Sequence, residues 1–475
     1  MAPERDIYLL DPQKLDPETI AVAFARTSRS PQSFRKIAAE LTAVKSAEFH
    51  EKWVVGYGHS SVAEHAVLHV AIENVSRLAV ESIESNRLAS YTEKSTRYQK
   101  WSTTDFYTPP ELAGGEPLRA RYQQAVQALF AAYLETLPAV KADVERDFPR
   151  QPDESEAAWE RRIRSEYVDV CRFLLPAASL ANLGMTINAR ALEHALRKMM
   201  SHPLQEVQEI GDAIKRVAME SIPTLIKYVE RVPYMSEAGY GLATLGAALP
   251  VPADPGADWC RLVDCDAQGE LRVLAAALYR YGQLSYTQAL AQVQAAGAEQ
   301  RAHLAQALLG GMQRHDVSLR ETEFATYTFD VLIDQGGYFE LKRHRMMTQS
   351  AQPLTARLGY AIPRRIEAAG MKDVYCRAMD AAQQAYEDLA AVQPQAASYL
   401  TPNGFNRRVL LGCNWRSLDH FVSLRAAPNA HFSMRRLAQR MAEQARAATP
   451  LLGSFLRVPA GETWQQIEHN YFVRC

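Results

Sequence analysis

Two short runs hold side chains suited to binding anions. One reads Arg87-Leu88-Ala89-Ser90-Tyr91-Thr92-Glu93-Lys94-Ser95-Thr96-Arg97-Tyr98, the other Arg343-His344-Arg345-Met346-Met347-Thr348 and on to Thr355-Ala356-Arg357. Guanidinium forks and hydroxyls are charge-assisted donors for phosphate oxygens, and two guanidiniums with a hydroxyl form a sensible set for a monophosphate. Farther along each half lies a second pair of runs: Asn188-Ala189-Arg190-Ala191-Leu192-Glu193-His194, and Asn414-Trp415-Arg416-Ser417-Leu418-Asp419-His420 ending in Leu424-Arg425. Arg416 and His420, four apart, share one face if that run is helical. Each feature also has an ordinary structural reading. Arg-His-Arg suits a solvated basic surface, Ser95-Thr96-Arg97 a turn, Asn188 and Asn414 helix caps, and His59 and His65 satisfied core histidines.

The elements that carry these residues are legible in outline. Residues 67–73 and 327–334 alternate apolar and polar side chains, the pattern of half-buried strands, just ahead of the two motif runs. Helical periodicity covers 118–144, 156–175 and 189–229 in the first half, then 371–391 and 416–447 in the second, with Pro203 and Pro428 at matching interruptions. Both halves open on what reads as a short strand before a helix, at 6–11 and at 261–264. The glycines and prolines of 236–258 give that stretch linker composition. The expected organisation is therefore a first domain at 1–240, a linker at 241–258 and a second domain at 259–475. The fold class is α+β, mostly helical, with a small antiparallel sheet in each domain.

At 475 residues the chain is long enough for two domains, each with its own core. A net charge of −1 lacks the basic excess of a general nucleic-acid binder, so any phosphate must be held locally. No basic-then-apolar leader and no long apolar run is present, which makes the cytoplasm the expected compartment, with no membrane and no nucleic-acid partner. Cys171, Cys260, Cys265, Cys376, Cys413 and Cys475 show neither metal-ligand nor disulfide spacing. They read as free thiols, with no metal site.

The paired motifs resemble those of the flavin-dependent thymidylate synthases, whose hallmark is Arg-His-Arg, a serine after two intervening residues, then Ser-x-Arg. The first copy has Ser85 and Asn86 in place of Arg-His but keeps Ser90, Glu93, Ser95 and Arg97, while the second keeps Arg343, His344 and Arg345. The resemblance extends to the run ending in Glu64-His65 and to the Asn-x-Arg-Ser-Leu run, whose closing arginine matches Arg425 in the second half but Met199 in the first. The chain looks like a tandem duplicate with complementary losses.

By that resemblance, FAD is the cofactor, with Arg343, His344, Arg345, Asn414, Arg416, His420, His65, Glu93, Asn188 and His194 as its ligands. A pyrimidine nucleotide monophosphate is the substrate, held by Glu93, Ser95, Arg97, Arg172, Glu340 and Arg425. Arg425 takes the catalytic role, stabilising negative charge on the base, and Arg343, His344 and Arg345 are expected as cationic donors. The implied reaction is one-carbon transfer to C5 of dUMP to give dTMP, with methylenetetrahydrofolate and NADPH as co-substrates. The alternatives are the same flavin chemistry on another pyrimidine nucleotide, or a non-catalytic flavin or nucleotide sensor. Glu340 stands where the family has glutamine; unless protonated or paired, its carboxylate disfavours an ionised uracil and prefers a base with an extra donor, such as cytosine. Family sites are shared among subunits of a homotetramer, so a homodimer forming a pseudo-tetramer is expected.

Overall fold

The computed structural model describes residues 6–28, 30–57, 59–96, 101–113, 115–250 and 258–473. The chain forms two compact units. The first comprises Met1–Ser95, Phe106–Glu116 and Ser179–Pro252; the second comprises Thr96–Asp105, Pro117–Ala178 and Ala253–Cys475. The long helical segment 117–178 of the first sequence half thus belongs to the compact unit of the second.

In the first unit, β1 (Val67–Ser76), β2 (Ala89–Glu93) and β3 (Leu180–Asn188) form an antiparallel sheet in the order β1-β3-β2. The register of β1 on β3 slips between Ile72 and Val75, and Asn74 in the slip has a φ of 57°. Asparagine is among the few side chains that adopt this left-handed conformation readily. Asn182 Oδ1 accepts from the Asn74 amide at 3.0 Å and holds the bulge.

In the second unit, β4 (Cys260–Cys265), β5 (Thr326–Asp334), β6 (Thr348–Ala351) and β7 (Asn406–Asn414) are antiparallel in the order β4-β5-β7-β6. Alternation does the expected work here. Tyr327, Phe329, Val331 and Ile333 on β5 and Val409, Leu411 and Cys413 on β7 face one core, joined by Trp415, Phe421 and Met434. Both central strands run directly into helices through side-chain caps. Asp334 accepts from the Gly337 amide at 2.7 Å to start Gln335–Leu341, and Asn414 accepts from the Ser417 amide at 2.9 Å to start Trp415–Arg425. Since β5 and β7 are antiparallel, these helices start at opposite ends of the sheet, and the second, at about 1.5 Å per residue, carries Arg425 back towards the end of the first.

The segment from the first half is stitched in by its backbone. Residues 172–178 pair with 399–404 through Gly404 N to Phe173 O at 2.9 Å, Asn403 N to Leu175 O at 3.0 Å and Ala178 N to Tyr399 O at 2.9 Å. Gly404 permits this close approach, because a Cβ there would sit 2.6 Å from Tyr375 Oη and 2.8 Å from Met379 Cε.

Three features differ from the sequence expectation. Residues 6–11 form no strand, whereas their counterpart is β4. The described part of the stretch with linker composition is largely helical, within Pro233–Ala247, because Pro233 sits at the helix's first turn and the alanines and leucines outweigh scattered glycines. The long periodic segments break at Pro203 and Pro428 as expected, giving Ala189–Met200 and Gln205–Ala218, then Trp415–Arg425 and Phe432–Ala448, but a further break that sets Pro223–Ile226 apart was not expected. No described helix is long and apolar enough to cross a membrane.

Candidate functional site

In the second unit one carboxylate ties together residues from both motif sets. Arg172 Nη2 donates to Glu340 Oε1 at 3.3 Å, and Arg425 Nη1 donates to Glu340 Oε2 at 3.2 Å. Arg425 also donates from Nε to His344 Nε2 at 2.9 Å. Arg172 is steadied further by Thr96 Oγ1 at 3.3 Å and by the Asp169 carboxylate 3.4 Å from its Nε. The ion-paired side chains are only 8% (Arg172), 12% (Glu340) and 16% (Arg425) exposed, so they meet in a medium where charges interact strongly.

The protonation states follow from the contacts. Burial alone raises the Glu340 carboxyl, but Arg172, His431 and Arg425 more than offset it and hold the group below its ordinary range. Glu340 is therefore an ionised, doubly paired carboxylate, and the premise of the expected cytosine preference, an unpaired carboxylate, is not met. Burial depresses His344 to about 3, helped by Arg425, His420 and Arg343. His344 is thus neutral near pH 7, not the cationic donor expected from the sequence. An arginine Nε–H can only donate, so His344 Nε2 accepts and the ring proton lies on Nδ1. Phe421 packs edge-on against the imidazole at 4.8 Å, and His420 lies 5.9 Å away.

Around this centre the other second-half candidates take separate positions. Arg343 and His420 are exposed and Arg345 is half-buried. Asn414 caps its helix, and Arg416 is engaged by Glu323 at 2.6 Å. A cavity of about 590 Å³ is lined in part by Glu166, Asp169, His431, Phe432 and Tyr471. Cys413 is buried, which pushes its thiol up to about 12 and leaves it a packing residue.

The first unit holds the remaining candidates. His65 lines a cavity of about 560 Å³ with Phe24, Phe49, Trp53 and His59, beside the π-helical turn His50–Gly56. Its ring lies 4.9 Å from Phe24. The Glu93 side chain is buried and ion-paired to Arg77 at 2.9 Å, Ser95 follows β2, and His194 is exposed. Asn188 accepts from the Ala191 amide at 2.8 Å as a helix cap. At the positions matching His344 and Arg425 stand buried Asn86 and Met199, so no second carboxylate-bridged pair of arginines forms there among the described residues. Arg97 lies outside the described residues. Asp169, Thr96 and His431 had no assigned part in the sequence reading; of these, only Asp169, three residues before Arg172 on a helix, carried a local signal.

The family model described as thymidylate synthase complementing protein matches residues 9–224 and 261–451. The chain belongs to the thymidylate synthase complementing protein family. The family's model thus occurs twice, once on each side of 225–260. A UPF0159 protein of Chlamydia muridarum is 31% identical over 433 residues, covering 88% of this chain and 82% of that protein. A flavin-dependent thymidylate synthase of Nitratidesulfovibrio vulgaris is 28% identical over 208 residues, covering 43% of this chain and 78% of that protein. The crystal structure of a flavin-dependent thymidylate synthase from Helicobacter pylori, complexed with FAD and dUMP, aligns at 20% identity with a TM-score of 0.31, covering 45% of this chain and 96% of that one.

Proposed function

We propose that this chain is an FAD-dependent enzyme that transfers a one-carbon unit to C5 of a pyrimidine deoxynucleotide monophosphate, converting dUMP to dTMP. Membership of the family and the similarity to relatives named flavin-dependent thymidylate synthases support the reaction class. The observation that carries it is the Arg172–Glu340–Arg425–His344 chain, in which an arginine from the first half meets three motif residues of the second in one partly buried centre.

FAD, when bound, supplies the redox and one-carbon chemistry that no side chain here provides. The donor set suits such a ligand. Arg343 and Arg345 flank His344, His420 stands beside its ring, and the neutral Nδ1–H of His344 offers a hydrogen bond without charge. These residues, with Asn414, Arg416, His65, Glu93, Asn188 and His194, are the proposed cofactor contacts. Ser95, Arg97 and Arg172 are the proposed phosphate side of the substrate site, and methylenetetrahydrofolate and NADPH the proposed co-substrates. Arg425, held by His344 and Glu340, is the proposed catalytic residue: it would stabilise negative charge that develops on the base, which is electrostatic catalysis without a protein nucleophile.

The test is direct. Purified protein loaded with FAD should convert dUMP to dTMP when given methylenetetrahydrofolate and NADPH. Arg425→Ala should retain FAD and lose turnover by about 100-fold or more, the scale set by removing one charge-stabilising donor. Failure of the protein to bind FAD, or full turnover in Arg425→Ala, would count against the reading.

A further inference from the structure

One helix of the first unit buries no side chain. Pro233–Ala247 has 15 residues, none of them buried, although its root is fixed: Arg231 donates to Ser236 Oγ at 3.2 Å, and the Val232 amide donates to Ser201 Oγ at 2.8 Å. A helix of this length is marginal in water by itself, and Gly239, Gly241 and Gly246 weaken it further. It calls for a covering surface.

The uncovered surface is ordered. Met235, Ala238, Leu242 and Leu245 follow one another at spacings of three, four and three, the a/d pattern of a helix–helix seam, and Tyr234 and Leu249 lie on the same stripe. Met235 and Ala238 are half-buried at the root, whereas Tyr234, Leu242, Leu245 and Leu249 are 76%, 70%, 67% and 68% exposed. Such a stripe fits another apolar helix.

Charge narrows the choice of partner. From Val232 to Pro250 the one charged side chain is Glu237, which lies off the stripe. A nucleic acid or an anionic membrane calls for basic residues here, and a charged peptide for the opposite charge. A second copy brings an identical neutral stripe, and a two-fold axis sets it against the first with no like charges opposed. The helix also lies in 225–260, between the two family matches, so this surface is not part of the repeated family unit.

We propose that Pro233–Ala247 is a dimerisation helix, pairing about a two-fold axis with the same helix of a second copy of this chain. Tyr234, Ala238, Leu242 and Leu245 form the seam. At roughly 100 Å² per large apolar side chain, the stripe buries about 500 Å² on each copy and about 1,000 Å² in all, the lower bound for a specific interface. Association in the micromolar range is the expectation, and it is independent of the reaction proposed above.

Charge exchange across the seam tests this. Sedimentation equilibrium of the full chain between about 1 and 100 µM should show a monomer–dimer transition. Leu242→Glu with Leu245→Glu, and separately Leu242→Lys with Leu245→Lys, oppose like charges and should each weaken dimerisation about 100-fold or more. The melting temperature of the monomer should hold, because the helix buries no core residue. An equimolar mixture of the two double variants should regain a dimer with one chain of each kind, since opposite charges then face across the stripe. Wild-type protein that stays monomeric overturns the inference, and flotation of that monomer with phosphatidylcholine vesicles would assign the stripe to a lipid surface instead. A dimer that survives either double variant also overturns it, placing the interface elsewhere and leaving the stripe to be covered from within its own chain. Dissociation without recovery in the mixture overturns self-pairing as well, because the stripe then faces a different surface.

Discussion

At the scale of single residues, the centre is governed by which charges cancel. Arg172 and Arg425 are individually natural phosphate or base ligands, yet each already has a carboxylate partner, and the neutral ring of His344 completes the set. Keeping that imidazole neutral has a thermodynamic consequence. Its folded pKa of about 3 lies below the ordinary 6.5, so in acid the unfolded chain binds a proton that the folded chain refuses. Stability from this group is fully present above about pH 6.5 and drains as pH falls towards 3. Glu340, also shifted down, adds loss in the same direction in the carboxylate range. His202, depressed by burial to about 4, contributes similarly, so the signature of His344 must be read as a difference. His344→Gln, which cannot titrate, should flatten the fall in melting temperature between pH 7 and 4 relative to wild type. An unchanged slope would mean that His344 is not neutral in the folded protein.

At the scale of elements, the decisive feature is a backbone seam. Residues 172–178 run beside 399–404, and Gly404 leaves room for Tyr375, Met379 and Phe173. Gly404→Ala should therefore destabilise the protein by about 1–3 kcal/mol through overpacking, and also weaken nucleotide binding, because the seam positions Arg172. A thermal melt with a dUMP titration checks both, and a neutral substitution would show that the seam yields easily. This seam also marks where sequence reading stops. The alternation of Tyr327 to Ile333 announced β5, and Asn188 and Asn414 were recognisable as possible caps because strand and cap are local patterns. Nothing local signals that Phe173 will pair with Gly404, or that Glu340 will meet Arg172, since those contacts join distant segments. Composition also misled where one residue outweighed an average, as when Pro233 began a helix in a stretch rich in glycine.

At the scale of the whole molecule, duplication and compactness do not follow the same boundaries. The family match divides the chain near 225–260, whereas the helices of 117–178 are counted with the second compact unit. Arg172 and Arg425, although they come from different sequence halves, are therefore neighbours of one Glu340 within a single unit of one chain. Asn86 and Met199 occupy the matching positions in the first unit, so the centre forms once per chain among the described residues. Titration should accordingly find one dUMP and one FAD per chain, with two of either contradicting the asymmetry. Mixing sharpens the point. If two chains assemble as the proposed pseudo-tetramer, Arg172→Ala chains co-refolded with Arg425→Ala chains should recover no activity, because every centre still lacks one arginine. Activity returning towards that of one wild-type centre per mixed dimer would mean that the arginines come from partner chains, and that the seam between 172–178 and 399–404 is exchanged between them. Pairing Arg97→Ala with Arg425→Ala asks a different question. Recovery in that mixture alone would assign the phosphate end to a neighbouring chain while leaving Arg172, Glu340 and Arg425 together in one.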